Sequence, residues 1–198
     1  TLVEKCCHFF DLMRLALGAE PVRVMASAGQ AVNHVQERYD GAQPDIWDHG
    51  YVIVEFEGGA KAMLDLCMFA EGARYQEEIT AVGAEGRIEA RVPGPGRFWP
   101  ESLGPAPVSE LEVQPRQWSR AAPHPPRRIE LPVDPALLAA GDHNGATFYQ
   151  HQRFLNAVQS GTTPEVSLAD GMAAVRLGLA AQEAAQSGQV IDLTCWSG

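Results

Sequence analysis

Residues 51–68 constrain the fold of this chain more than any other stretch. Val52, Val54 and Phe56 alternate with Tyr51, Ile53 and Glu55, Glu57-Gly58-Gly59 supplies a turn, and residues 60–68 return with Ala62, Leu64 and Leu66 on one face. Period-two alternation on both sides of a glycine turn predicts an antiparallel hairpin. Residues 75–92 repeat the pattern around Gly83-Ala84-Glu85-Gly86, which predicts a second hairpin. Such hairpins bury one face and leave the other free, so something apolar must cover them.

Three helical segments offer that cover. Residues 2–17 run as a helix and stop at Gly18, a usual C-terminal cap. Residues 144–160 end at Gly161, and residues 168–186 end at Gly188. Ser167, with Asp170 three residues on, gives the last helix a capped start. Strands are expected at residues 21–28, 128–133 and 190–193, and a polar loop at 31–48 that covers something. The order is α+β, and both hairpins are expected in one mainly antiparallel sheet with helices packed on one face. No Gly-x-Gly-x-x-Gly follows a strand, and no phosphate-cradling loop occurs.

The 198 residues read as a single domain, and 45% hydrophobic residues are ample for its core. Residues 93–126 differ in texture, with nine prolines, Trp99 and Trp118. Proline removes a backbone donor, so this stretch is expected to be an irregular rim rather than ordinary sheet. Only residues 111–113 suggest a short strand. The two tryptophans are expected to pin the excursion, which the fold should be able to lose.

A net charge of −10 argues against nucleic acid and anionic membranes as partners. No apolar run approaches the roughly 18 residues that cross a membrane, and no signal-peptide pattern opens the chain. Cys6, Cys7, Cys67 and Cys195 match neither a disulfide framework nor a zinc site. Reduced thiols and a cytoplasmic location are the expectation. The chain begins at Thr1 and almost at once enters a helix, so it reads as part of a larger protein.

The chemistry-bearing residues cluster early. On a helix, Glu4, His8 and Asp11 share one stripe, with Lys5 on its flank, while Cys7, Phe10, Met13 and Leu17 form a stripe suited to burial. A histidine between carboxylates has the parts of a general acid/base site. It also has the parts of a core-edge histidine satisfied by a neighbouring acid. Asp45, Trp47, Asp48 and His49 precede the first hairpin. They fit a substrate pocket in which Trp47 stacks on a sugar face, and equally a capped loop anchored by Trp47. Tyr149 and His151 lie on the first turns of a late helix; Arg74, beside Glu77 and Glu78, fits an anion contact or a plain surface arginine.

The run from Glu4 to Met13 resembles the first helix of the C-terminal domain in the Gfo/Idh/MocA oxidoreductases, relatives of inositol dehydrogenase and glucose–fructose oxidoreductase. Their pattern there is Asp-x-Gly-x-His-x-x-Asp. Asp142-His143-Asn144-Gly145 through Phe154 resembles their late helix, and Pro164 to Gly171 their closing segment. The resemblance implies a substrate and oligomerisation domain, similar to the C-terminal domains of dihydrodipicolinate reductase and glyceraldehyde-3-phosphate dehydrogenase. An N-terminal Rossmann domain would hold NAD or NADP. It implies proton transfer by His8 with Glu4 in the place of the family's Asp, and Cys6 in the place of its Gly. Asp11, Asp45, Trp47, His49 and Tyr149 are the expected substrate contacts, and Lys5 the expected cofactor contact. The family's catalytic lysine belongs to a Glu-Lys-Pro motif in the Rossmann domain and does not transfer to Lys5. The implied activity is oxidation or reduction of a sugar, polyol or related small molecule, in a homodimer or homotetramer. A non-enzymatic dimerisation or ligand-binding module of the same descent is the alternative.

Overall fold

The computed structural model describes residues 1–117, 119 and 121–198. The chain divides into two compact units, residues 1–69 with 165–198, and residues 70–164.

The first unit is a four-stranded antiparallel sheet in the order β3-β2-β1-β8, built from β1 (Pro21–Gly29), β2 (His49–Phe56), β3 (Lys61–Cys67) and β8 (Ile191–Asp192). The predicted hairpin is β2–β3, with Val52 opposite Leu64 and Val54 opposite Ala62. Its alternation buries Val52, Val54, Phe56, Leu64 and Leu66, and these join Val24 of β1 in one core. The long helix α4 (Leu168–Ser187) lies on β1 through Leu177, Ala180, Ala181 and Ala184. Small side chains let a helix sit close to a sheet, and four buried methyl-sized or branched positions on one face suffice here. α4 starts as expected: the Ser167 hydroxyl accepts the Asp170 N–H while the Asp170 carboxylate accepts the Ser167 N–H, a reciprocal capping box.

Helix α1 (Cys7–Leu17) packs against α4. It begins five residues later than the sequence pattern suggests, because residues 2–6 form turns with Lys5 and Cys6 N–H both donating to the Thr1 carbonyl. The buried stripe is also offset. Leu2, Cys6 and Phe10 are fully buried, Cys7 and Met13 only in part, and Leu17 is exposed. Burial pushes the Cys6 thiol up to about 11, so it acts as a small hydrophobe.

The second unit holds a separate four-stranded antiparallel sheet, β4 (Glu77–Gly83), β5 (Gly86–Val92), β6 (Ser109–Pro115) and β7 (Arg127–Leu131), in sequence order. This corrects the expectation of one sheet. The link 68–76 is a loop with a turn at Ala70–Ala73 rather than a tight hairpin, so β4 does not continue the ladder beyond β3. It corrects the reading of residues 93–126 as well. The prolines cluster at 93–107 and 115–126, which leaves 108–114 free to form β6 between β5 and β7. Glu110 of β6 is buried and bonded by Arg91, Arg128 and Tyr75. Trp99 donates its indole N–H to the Gly104 carbonyl, an internal pin of the excursion. Trp118 lies outside the described residues. A short helix α2 (Pro135–Ala140), capped by Asp134, precedes α3 (Ala146–Ser160).

No helix among the described residues is long and apolar enough to cross a membrane.

Candidate functional site

The turn ahead of α1 decides what its polar residues can do. Glu4 and Lys5 are exposed in that turn, off the helix proper, and the Glu4 carbonyl accepts the Cys7 thiol at 3.2 Å. His8 is exposed in the first turn of α1. Among the described residues no direct hydrogen bond or ion pair joins His8 to Glu4 or Asp11. Asp11 is drawn instead to Arg14, 3.5 Å from its guanidinium. Arg14 also meets Glu20 through two bonds of 3.0 and 2.6 Å and Asp170 at 3.5 Å. One guanidinium thus gathers acids from α1, the following turn and the start of α4. His8 is left as an accessible imidazole beside this cluster on the same helix.

A second arrangement stands at the far end of β1. Asp48, immediately before β2, is only 1% exposed, yet its carboxylate is fully bonded. Oδ1 accepts Ala31 N–H at 2.9 Å, and Oδ2 accepts Val32 and Asn33 N–H, each at 2.7 Å. His49 Nδ1 lies 2.9 Å from Oδ1. Burial pushes the Asp48 carboxyl up, but the bonds from His49 and from the backbone of Val32, Asn33 and Ala31 outweigh it and hold the group well below the usual carboxylate range. The Asn33 amide donates to the Met68 carbonyl at 2.7 Å, so the loop after β1 is tied to the end of β3 as well. The loop predicted at 31–48 is therefore an organised element with a buried acid at its foot.

The other predicted residues separate. Trp47 is partly buried and packs against the hydrophobic core of the first unit, while Asp45 is exposed. His49 is half-exposed, its ring edge-on to Phe69 with centroids 6.4 Å apart. Tyr149 belongs to the second unit, exposed on α3 with its ring 5.5 Å from that of Phe148. His151 is exposed on the same helix. Arg74 lies over the ring of Tyr75, its guanidinium carbon 5.6 Å from the centroid. Among the described residues, no three His, Cys, Asp or Glu side chains converge as a metal site would require.

Sequence reasoning passed over Arg14 as the collector of acids and Asp48 as the anchor of a loop. A signal for Asp48 existed. An acid at the entry to a strongly alternating strand, after a polar loop of matching length, is placed to cap that loop's backbone. The three-residue spacing of Asp11 and Arg14 signalled one pair, but Glu20 and Asp170 come from beyond the helix and left no such signal.

The chain matches the family described as the oxidoreductase family, C-terminal alpha/beta domain, of the Gfo/Idh/MocA group, over residues 1–193. No curated protein matches it. Among solved structures it is similar to an oxidoreductase domain protein from Kribbella flavida, at 20% identity and a TM-score of 0.67, covering 97% of this chain and 49% of that one. It is similar to an oxidoreductase from Agrobacterium radiobacter, solved with NAD+, L-tartaric acid and magnesium, at 19% identity and a TM-score of 0.62, covering 98% and 49%. The aldose-aldose oxidoreductase from Caulobacter crescentus, solved with glycerol, matches at 19% identity and a TM-score of 0.60, covering 94% and 45%. The chain thus spans about half the length of these solved relatives.

Proposed function

Because the chain belongs to the Gfo/Idh/MocA oxidoreductase family through its C-terminal alpha/beta domain, we propose that it is the substrate-binding and oligomerisation part of an NAD(P)-dependent oxidoreductase. The substrate is a secondary alcohol or carbonyl of a sugar, polyol or related small molecule. The observation that carries this reading is His8, an accessible imidazole at the start of α1 with no internal partner among the described residues. An imidazole titrates nearest to neutral pH and suits the transfer of a hydroxyl proton.

The described residues do not fit a dinucleotide. All strand pairs are antiparallel, and no glycine-rich turn joins a strand to a helix where a pyrophosphate would rest. In this reading NAD or NADP is held by an N-terminal Rossmann domain, as the family membership suggests, where the nicotinamide would supply the hydride chemistry when bound. This chain's part is to orient the substrate and manage its proton. His8 accepts the hydroxyl proton as the carbonyl forms, or returns it in reduction. Lys5, exposed in the turn three residues before His8, is the residue offered toward the cofactor, and Glu4 the acid offered toward His8. Asp11 reaches substrate only while sharing its charge with Arg14. Asp45, Trp47 and His49 are the proposed substrate contacts of the first unit, and Tyr149 is proposed by itself as one of the second.

The outer face of the first sheet is the proposed assembly surface. Tyr51, Ile53 and Met63 are 55%, 40% and 62% exposed there, with Lys61 on the same face and, among the described residues of the first unit, no helix above them. An uncovered apolar sheet face suits a self-complementary contact, so a homodimer or homotetramer is proposed, in the cytoplasm. The lack of a direct acid partner for His8 favours a second reading, a binding or dimerisation module without redox chemistry. The two separate on one experiment. The chain joined to its Rossmann domain is assayed for NAD(P)H formation on a panel of sugars and polyols, with His8→Ala as control. Turnover that falls in the variant supports the enzyme, and no turnover on any substrate with either cofactor supports the module.

A further inference from the structure

The Asp48 carboxylate has acceptor sites for about four donors, and the structure fills them with three backbone N–H groups and one imidazole nitrogen. The three backbone donors need an ionised or at least proton-free carboxylate, which cannot itself donate. Nδ1 of a neutral His49 must then carry the proton, and Nε2 must hold the lone pair. A tautomer that is usually a free choice is here dictated by a buried neighbour.

The lone pair is left open. Among the described residues no protein donor reaches Nε2, and the imidazole is 43% exposed. Opposite His49 in the ladder stands Gly29, where a Cβ would lie 3.2 Å from Cε1 and 3.5 Å from Nε2. A glycine at this position leaves that edge of the ring uncovered. The loop around it is tied down by Asp48 and Asn33, with Gln30 donating to the Asn33 carbonyl and Gln43 to the Gln30 side chain. A fixed acceptor with no internal donor, beside a tied-down loop, has the form of a ligand contact.

The charge of the surroundings limits the ligand. From residue 24 to residue 60 the only cation is Arg38, and its guanidinium is spent on the carbonyls of Val35 and Glu37. Within that stretch no other lysine or arginine is offered to a carboxylate or phosphate, whereas the open His49 Nε2 suits a hydroxyl donor. We propose that Asp48 and His49 form a carboxylate–imidazole dyad that presents Nε2 to a hydroxyl of a neutral polyol or sugar, with Asp48 as the positioning residue. This rests on the reading above that the substrate is hydroxylated, and narrows it to uncharged molecules.

The test is nitrogen-15 NMR of the histidine rings in the full chain, selectively labelled at histidine. His49 is expected as the Nδ1–H tautomer, and its ring signals are expected to move with millimolar myo-inositol but not with L-tartrate. Asp48→Asn should mix the tautomers. His49→Gln, which leaves the Asp48 anchor in place, should abolish the myo-inositol response at the Gly29 and Gln30 amides. That variant keeps the test open should Asp48→Asn fail to fold. An Nε2–H tautomer overturns the dyad, a silent myo-inositol titration overturns the binding role, and an equal response to L-tartrate overturns the neutral class. None of these readouts involves hydride transfer, so an inactive joined enzyme would refute the oxidoreductase reading and leave the dyad to be judged by the spectra.

Discussion

Gly178 of α4 meets the backbone of Leu2: a Cβ at 178 would stand 2.9 Å from the Leu2 carbonyl oxygen and 2.9 Å from the Val3 Cα. This contact seats the turn ahead of α1 against α4. Alanine is the better helix former by about 1 kcal/mol, but here its methyl group meets backbone that cannot rotate away. Gly178→Ala is expected to destabilise the first unit by about 1–3 kcal/mol, as overpacking does. Urea denaturation checks it; a stabilised variant would show that α1 is not held at this point.

Asp48 should shape the acid limb of stability. A carboxyl depressed in the folded state contributes stability that is present above its unfolded value, near 4 for aspartate, and is lost as pH falls through the lower folded value. Asp48→Asn is therefore expected to unfold at lower denaturant than the parent at neutral pH, with the gap narrowing below about pH 4. Denaturant midpoints across the acid range decide it. A gap that does not change with pH would mean that the carboxylate's charge contributes nothing.

In the protein joined to its Rossmann domain, His8→Ala should lower kcat by about a hundredfold or more, the usual worth of an acid/base group. Glu4→Gln should do less, because Glu4 stands in the turn before α1 without a bond to the imidazole. Steady-state kinetics on both variants would move the role elsewhere if kcat stayed at the parent value.

The uncovered sheet face predicts assembly. Ile53 and Met63 are opposed in the ladder and both exposed. Ile53→Lys places a charge in the middle of the proposed contact and should shift the oligomer towards monomer while leaving the circular dichroism spectrum unchanged. Light scattering that finds the same mass for parent and variant would remove this face from the interface.

Deleting residues 94–125 should now be destructive. The cut removes β6 and with it Glu110, leaving Arg91 and Arg128 without their shared carboxylate and β5 without its partner. Removing residues 96–104 alone spares the sheet and should be tolerated. Limited proteolysis separates the cases: a second unit that resists protease after the larger deletion would show that β6 is dispensable.

The sequence by itself determined what depends on near neighbours along the chain. Alternation at 51–68 set the first hairpin and its buried face, Ser167 with Asp170 set the start of α4, and Gly18, Gly161 and Gly188 ended three helices in left-handed caps. Period, capping and turn chemistry act over a few residues, and a short window carries them. The order of strands was decided in three dimensions, since β8 joins β1 across more than 160 residues and β4 founds a second sheet instead of extending the first. The candidate site divides in the same way. His8 was legible from its motif, but its lack of an acid partner follows from turns ahead of α1 and from an arginine that collects charges from α4. Asp48 became an anchor only when the sheet brought residues 31–33 over it. Local pattern chooses elements, while burial and long-range hydrogen bonding choose which polar groups are satisfied and which are left to meet a ligand.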